Sequence, residues 1–227
     1  MPSNLDERTA VLMVESGAGG IEANDWTDML LRIYIKWGEK AGHQVDILNY
    51  KPGAEAGIQS GAIGISGDGV YGGIKSEAGI HRLVRKSPFD SQNRRHTSFA
   101  AVFVYPEPIE STDELRLSVV DLDIDLWRPR SVTDWHNPSA RVKHLPTGII
   151  VEAQGKNSQH KNKSAMLRIL KARLWAEQLN LPKASDELIR SYVFDPYRRV
   201  KDHRTGKETE FVTSVLDGGI ELFLGEG

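Results

Sequence analysis

A chain of 227 residues with 39% hydrophobic positions fits one large or two modest domains and can bury a real core, so global disorder is not expected. It has no cysteine, which excludes disulfides and thiolate metal sites, and no run of about 18 apolar residues that would make a membrane-spanning helix. The net charge of -2 conceals sorted charge: residues 82 to 95 carry five Lys/Arg against one Asp, 141 to 173 eight against one Glu, and 107 to 125 seven acids against one Arg. Charge segregated this way suggests basic faces aimed at a polyanion, although solvated faces of alternating sign would look similar.

In chain order, Ala10 to Val14 reads as a buried strand followed by a glycine-rich turn, Ser16-Gly-Ala-Gly-Gly20. Trp26, Met29, Leu30, Ile33 and Trp37 then recur at helical spacing, which predicts an amphipathic helix from Glu22 to Lys40. Its first turns hold Glu22, Asp25 and Asp28, where carboxylates suit the helix dipole. Val45 to Leu48, Gly61 to Ser66 and Ala101 to Tyr105 read as strands, and Leu115 to Leu126 alternates like a half-buried strand. Residues 127 to 139 lack any period and contain two prolines, so they read as a link. Ala140 to Leu145 and Gly148 to Ala153 read as a hairpin, and Ser164 to Asn180 as a helix with Leu167, Leu170, Leu174 and Trp175 on its apolar face. The tail from Ile189 to Leu224 is mixed.

Gly67-Asp-Gly-Val-Tyr-Gly72 matches the spacing of a dinucleotide-binding turn, but no phosphate-cradling helix pattern follows, so it reads as an ordinary glycine-rich turn. The seven histidines show no metal-ligand spacing with carboxylates, and no metal or small-molecule cofactor is expected. Arg82 to Phe99 is more informative. Two basic clusters, Arg82/Arg85/Lys86 and Arg94/Arg95, bracket Ser87, Pro88 and Phe89. Pro88 would stiffen the loop, while Ser87 and Thr97 offer hydroxyls to base edges. Phe89 and His96 offer planar faces. Stacking plus edge hydrogen bonds is how single-stranded RNA is read.

This stretch resembles the stop-codon-reading loop of the class I peptide chain release factor 2 family. Ser16-Gly-Ala-Gly-Gly-Ile-Glu-Ala-Asn-Asp-Trp26 resembles the helix tip of the same family, and Gln159-His-Lys-Asn-Lys163 and Val200-Lys-Asp-His-Arg-Thr-Gly206 extend the match over nearly the whole chain. The resemblance implies that Gly19 and Glu22 handle the first uridine, that Ser87-Pro88-Phe89 selects UGA and UAA, and that His96 and Thr97 sit at the second and third bases. It also implies backbone contacts from Arg82, Arg85, Arg94, Arg95, Lys161, Lys163 and Arg168, and partnership with the ribosome through mRNA or rRNA, with no membrane.

The fold expected is α+β. Residues 1–126 would form a mixed-sheet codon-recognition-like domain, with 189–227 packing back on it. Residues 127–188 would form a smaller hairpin-helix domain resembling the family's tRNA-end domain. The departures are specific. The family's Gly-Gly-Gln tripeptide, which triggers peptidyl-tRNA hydrolysis, occurs nowhere in the sequence; its place is taken by Arg128-Pro-Arg-Ser-Val-Thr-Asp-Trp-His-Asn137. The family's N-terminal helical domain is also unmatched. The expectation is a non-catalytic RNA-binding relative, cytoplasmic or organellar (chloroplast or mitochondrion, after removal of any transit peptide), with transcript stability or translation control as its role. The alternatives are a working termination or rescue factor, with a residue such as His136 positioning water, and a protein-interaction module on the old fold.

Overall fold

Strand β1 (Ala10–Ser16) is apolar on both faces, so it needs cover on both sides. Ala10, Leu12 and Val14 enter one core, and Val11 and Met13 the other. The structure, a computed structural model, describes residues 5–109, 115, 117–127, 139–154, 158–182 and 186–225. Around β1 lie α1 (Ile21–Lys40), β2 (Gln44–Pro52), β3 (Ile58–Ser66), α2 (Val70–Ile74), β4 (Gly79–Lys86) and β5 (Arg95–Pro106). Then come β6 (Leu122–Trp127), β7 (Ser139–His144), β8 (Ile150–Ala153), α3 (Gln159–Gln178), β9 (Leu188–Val193), β10 (Arg199–Asp202), β11 (Glu208–Thr209) and α4 (Val212–Leu216).

Eight strands make one mixed sheet in the order β11-β10-β9-β4-β5-β1-β3-β2, and β6-β7-β8 make a second. The β4–β9 pair is parallel and its neighbours are antiparallel. The class is therefore α+β. Helix α1 covers one face of the large sheet with Trp26, Leu30, Ile33, Tyr34 and Trp37. Fully burying a side chain of this size contributes roughly 1.5–3 kcal/mol. Trp26 also donates its indole N–H to the His81 carbonyl at 3.0 Å, so its polar end is satisfied. Helix α3 lies on the opposite face, where Met166, Ile169 and Leu170 join Val11, Met13, Leu48 and Ala62 of the large sheet to Ala140, Val142 and Val151 of the small one.

Several expectations are corrected. Leu115 to Leu126 is not one strand: Val119–Asp121 is a 3-10 turn, and the strand is only Leu122–Trp127. Val119 and Val120 are 80% and 83% exposed, so their alternation had no core to face. Strand β6 pairs with β7 from Leu122↔His144 to Trp127↔Ser139, so it belongs to the small sheet and not to the large one. Helix α3 begins at Gln159, five residues ahead of expectation, because the polar, basic first turns carry no apolar stripe to announce it. Arg82 to Phe99 is mostly strand, with only residues 87–94 outside β4 and β5. The strand was obscured because Arg82, Arg85 and Lys86 interrupt the apolar pattern. Gly67 to Gly72 is a turn only as far as Gly69; Val70 to Gly72 already belong to the short helix α2, and a Cβ on Gly72 would meet the Asp6 side chain at 2.7 Å.

The tail carries a buried charge cluster. Arg190, on β9, is fully buried and donates to both Glu77 oxygens at 2.5 and 2.7 Å and to Asp202 at 3.1 Å. Arg204 donates to Asp202 at 2.7 Å, and the Arg190 guanidinium lies 4.4 Å from the Phe223 ring centroid. Buried charges persist only when paired, and here both Nη atoms of Arg190 are bonded to carboxylates while its buried Nε has no partner among the described residues.

Candidate RNA-reading site

The site is built where the first turn of α1 meets the β4–β5 loop. Gly19 has φ 135° and Gly20 φ 56°, values that favour glycine, so the chain can turn sharply from β1 into α1. Gly17 passes so close to β5 that a Cβ there would meet the Phe99 carbonyl oxygen at 2.9 Å. The turn sets Glu22 in the first turn of α1, favourable for a carboxylate, with its side chain aimed at the loop.

Glu22 is 4% exposed and carries most of the local bonding. It accepts from Arg85 Nε at 3.2 Å and Nη2 at 2.9 Å, and from the Ser87 hydroxyl. Arg85 Nη2 also reaches Asp25 at 2.6 Å, and its guanidinium lies 6.0 Å from the Phe89 ring centroid. The Ser87 oxygen in turn accepts from the backbone N–H groups of Phe89 and Asp90, both at 3.0 Å. Ser87 is thus the pivot of a tight turn, with its own N–H donating to the Arg94 carbonyl at 3.0 Å. Pro88 and Phe89 are pushed outward; Phe89 is 41% exposed, an uncovered aromatic face at the loop tip.

Asp90, which drew no attention in the sequence, closes the other side. It accepts from the Gln92 N–H at 2.9 Å and from Arg94 Nε at 2.6 Å, and its Oδ2 lies 2.9 Å from His96 Nε2. The Arg94 hydrogen bond, then those of His96 and Gln92, hold the Asp90 carboxyl well below the usual carboxylate range. The polar run Asp90-Ser-Gln-Asn93, with Asn93 at φ 51°, is the turn signal that could have revealed it. Thr97 is exposed on β5 beside His96.

Glu22, Ser87, Pro88, Phe89 and His96 therefore come together where the 87–94 loop meets the α1 tip, with Gly19 in the turn beside them, whereas Thr97, next to His96 on β5, is exposed on the face of the sheet turned away from α1. The basic residues divide. Arg94 and Arg95 are exposed, Lys161 is exposed and Lys163 half-exposed at the start of α3. Arg85 and Arg168 depart from the expected phosphate contacts. Arg85 is committed to Glu22 and Asp25. Arg168 grips both Glu107 oxygens at 2.5 and 2.7 Å, and Gly64 leaves the space in which its guanidinium lies. Its work is to tie α3 to the large sheet. Arg82 is half-buried and donates to the Ser191 hydroxyl at 3.1 Å. Arg128 to Asn137, Lys156 and His136 lie outside the described residues. Among the described residues no group of three or more His, Cys, Asp or Glu could hold a metal ion, and no helix is long and apolar enough to cross a membrane.

Residues 1–102 match the model of the PCRF domain and residues 136–204 that of the RF-1 domain. Peptide chain release factor 2 of Thermotoga petrophila is 45% identical over 238 aligned positions, covering 96% of this chain and 64% of that protein. The protein of the same name from a Sulfurovum species is 42% identical over 96% of this chain. RF2 of Thermus thermophilus superposes with a TM-score of 0.84 at 43% identity, over 97% of this chain and 66% of that one. The chain belongs to the peptide chain release factor 2 family. It spans a little under two thirds of the length of the curated relatives it matches. The 238 positions aligned with the Thermotoga protein exceed this chain's 227 residues, so the relative carries residues that this chain lacks within the matched region.

Proposed function

We propose that this chain is a release factor 2-like protein that reads RNA, at the ribosomal decoding site or in free transcripts, without hydrolysing peptidyl-tRNA. The observation that carries this reading is a contrast within one sequence. Glu22, Ser87, Pro88, Phe89, His96 and Thr97 are all present in the sequence, with Ser87 bonded to Glu22 and His96 to Asp90, while the Gly-Gly-Gln tripeptide occurs nowhere in the chain. A tripeptide of two glycines permits backbone angles that Pro129 and the residues around it cannot supply.

In this reading Ser87 and Glu22 shape the loop, Phe89 and His96 present planar groups, and Thr97 offers a hydroxyl to a base edge. Lys161 and Lys163 supply sequence-independent attraction to phosphate. The role it assigns is binding that protects a transcript or tunes translation, in the cytoplasm or in an organelle. Equilibrium binding to ribosomes programmed with UGA or with a sense codon tests it, alongside UGA-containing and scrambled single-stranded RNA. Preference for UGA in either setting supports the reading; equal binding in both contradicts it.

A further inference from the structure

Helix α3 and the small sheet cover only part of the large sheet's second face. Phe103 and Tyr105 of β5 pack against that cluster, whereas Val84, Phe99 and Val193 belong to neither core and are only partly buried. Among the described residues neither helix α3 nor the small sheet lies over β4, β9, β10 or the first half of β5, where Ile189 and Ser191 are nonetheless buried beneath their neighbours. Its register aligns side chains across four strands: Phe99↔Arg82↔Ser191↔Lys201 in one row and Thr97↔Val84↔Val193↔Arg199 in the next. Directly opposed residues share a face, so this surface carries Arg82, Lys201 and Arg199 around Phe99. His203 joins it, with Nε2 2.7 Å from the Ser191 hydroxyl that Arg82 also reaches. Glu208 partly offsets the charge, at 3.4 Å from Arg199 and 3.9 Å from Lys201.

Thr97 is both a residue expected at the reading site and the first position of the second row. Thr97 faces away from α1 while its neighbour His96 faces toward it, so the two surfaces meet at the sheet end where the 87–94 loop joins β4 to β5. We infer that the open half of the sheet is a track for the single-stranded RNA that continues beyond the triplet, with a base stacking on Phe99 and phosphates held by Arg199 and Lys201. A four-stranded sheet with an exposed aromatic and flanking cations is a general solution for holding two or three unpaired bases. Charge complementarity selects a polyanion as the occupant, and the junction with the 87–94 loop selects RNA. The inference rests on the proposed reading of RNA at the 87–94 loop.

The test titrates the full chain with a short RNA ending in UGA and with the same RNA extended by three nucleotides on either side. Matched scrambled RNAs run in parallel. The wild type should bind one of the extended RNAs about tenfold more tightly than the short one, and the gain should drop below about twofold in the Arg199→Ala, Lys201→Ala double variant, whose changed side chains are half-buried and lie outside both cores. Phe99→Ala should lower the gain, and an extension with abasic positions should lower it equally in the wild type. No gain in the wild type, or a gain undiminished in the double variant, would overturn the track while a UGA preference left the loop reading standing. Loss of any UGA preference in the wild type would overturn both.

Discussion

Ser87 and Glu22, sixty-five positions apart in sequence, are joined by a hydrogen bond in which the serine hydroxyl donates to a buried carboxylate. This bond locks the tip of α1 to the β4–β5 loop, and Arg85 neutralises the charge it buries. Glu22→Ala leaves Arg85 and Ser87 short of their acceptor. A buried group stripped of its partner costs about 1–3 kcal/mol, and for a chain of this size each kcal/mol lowers the melting temperature by roughly 2–4 °C. Thermal unfolding should fall by several degrees for Glu22→Ala and less for Glu22→Gln, which keeps an acceptor. Equal melting of all three proteins would show that the bond carries no stability.

The Arg190 cluster predicts a larger loss and a pH signature. Burial pushes the Glu77 carboxyl up, but the Arg190 guanidinium on both its oxygens, with His81 and Tyr34, brings it below 4.5 overall. Asp202 is likewise held well below its usual range: burial opposes this, and Arg204 and Arg190 outweigh it. Carboxyls depressed by folding stabilise above their unfolded pKa, and that stability is lost as pH falls through the folded values. Arg190→Met should cost about 3–5 kcal/mol at neutral pH, because buried Glu77 loses its cation, while Asp202 keeps Arg204. The deficit should shrink as pH falls, because without Arg190 burial pushes the Glu77 carboxyl up and the variant takes up that proton at a higher pH than the wild type. Urea midpoints of both proteins from pH 7 to pH 3 measure this; a deficit independent of pH would refute it.

His81 should act in a different window. It is fully buried, and desolvation lowers its pKa to about 4, opposed by Glu77 and reinforced by Arg190 and Arg204. Its ring lies 3.0 Å from the Glu77 carbonyl, 3.4 Å from the Tyr34 hydroxyl and 3.5 Å from that of Tyr192. The unfolded chain takes up the proton near 6.5 and the folded one only near 4, so stability is full above 6.5 and declines between them. The loss is on the order of 3 kcal/mol. His81→Gln should be less stable at pH 7.5 and show a flatter profile between 6.5 and 4. An unchanged slope would mean that His81 is protonated in the fold.

The reading loop and the basic start of α3 should separate in binding. Ser87→Ala with Thr97→Ala should lose preference for UGA over scrambled RNA, by about 1–3 kcal/mol of discrimination, while retaining affinity from phosphate contacts. Lys161→Ala with Lys163→Ala should weaken all RNAs alike and flatten the salt dependence by about two units. A salt slope identical to wild type would show that these lysines are only solvated.

The parts of this fold most legible in the sequence are those where one period dominates. Trp26 to Trp37 announces α1, and Val11, Leu12 and Met13 announce a strand covered on both faces. Strand β4 was hidden because its inward residues are His81 and Arg85 as well as Leu83, and the partners that permit their burial, Glu77 and Glu22, come from other elements. The same applies to Arg190, whose pairing with Glu77 spans 113 positions. Ser87 of the loop and Thr97 of β5 stand out in the sequence by chemistry and resemblance alone, not by any period. Arg85 and Arg168 were misassigned to phosphate because a sequence shows a cation but not the carboxylates that occupy it.

The central claim is that the chain reads without triggering hydrolysis, and a peptide-release assay tests it most directly. Ribosomes carrying labelled peptidyl-tRNA with UGA in the decoding site are mixed with saturating protein, and occupancy is followed by co-sedimentation in the same samples. The account predicts UGA-dependent occupancy with peptide release no faster than the background without factor. Release well above background at UGA, with none at a sense codon, would contradict it and make the chain a working termination factor.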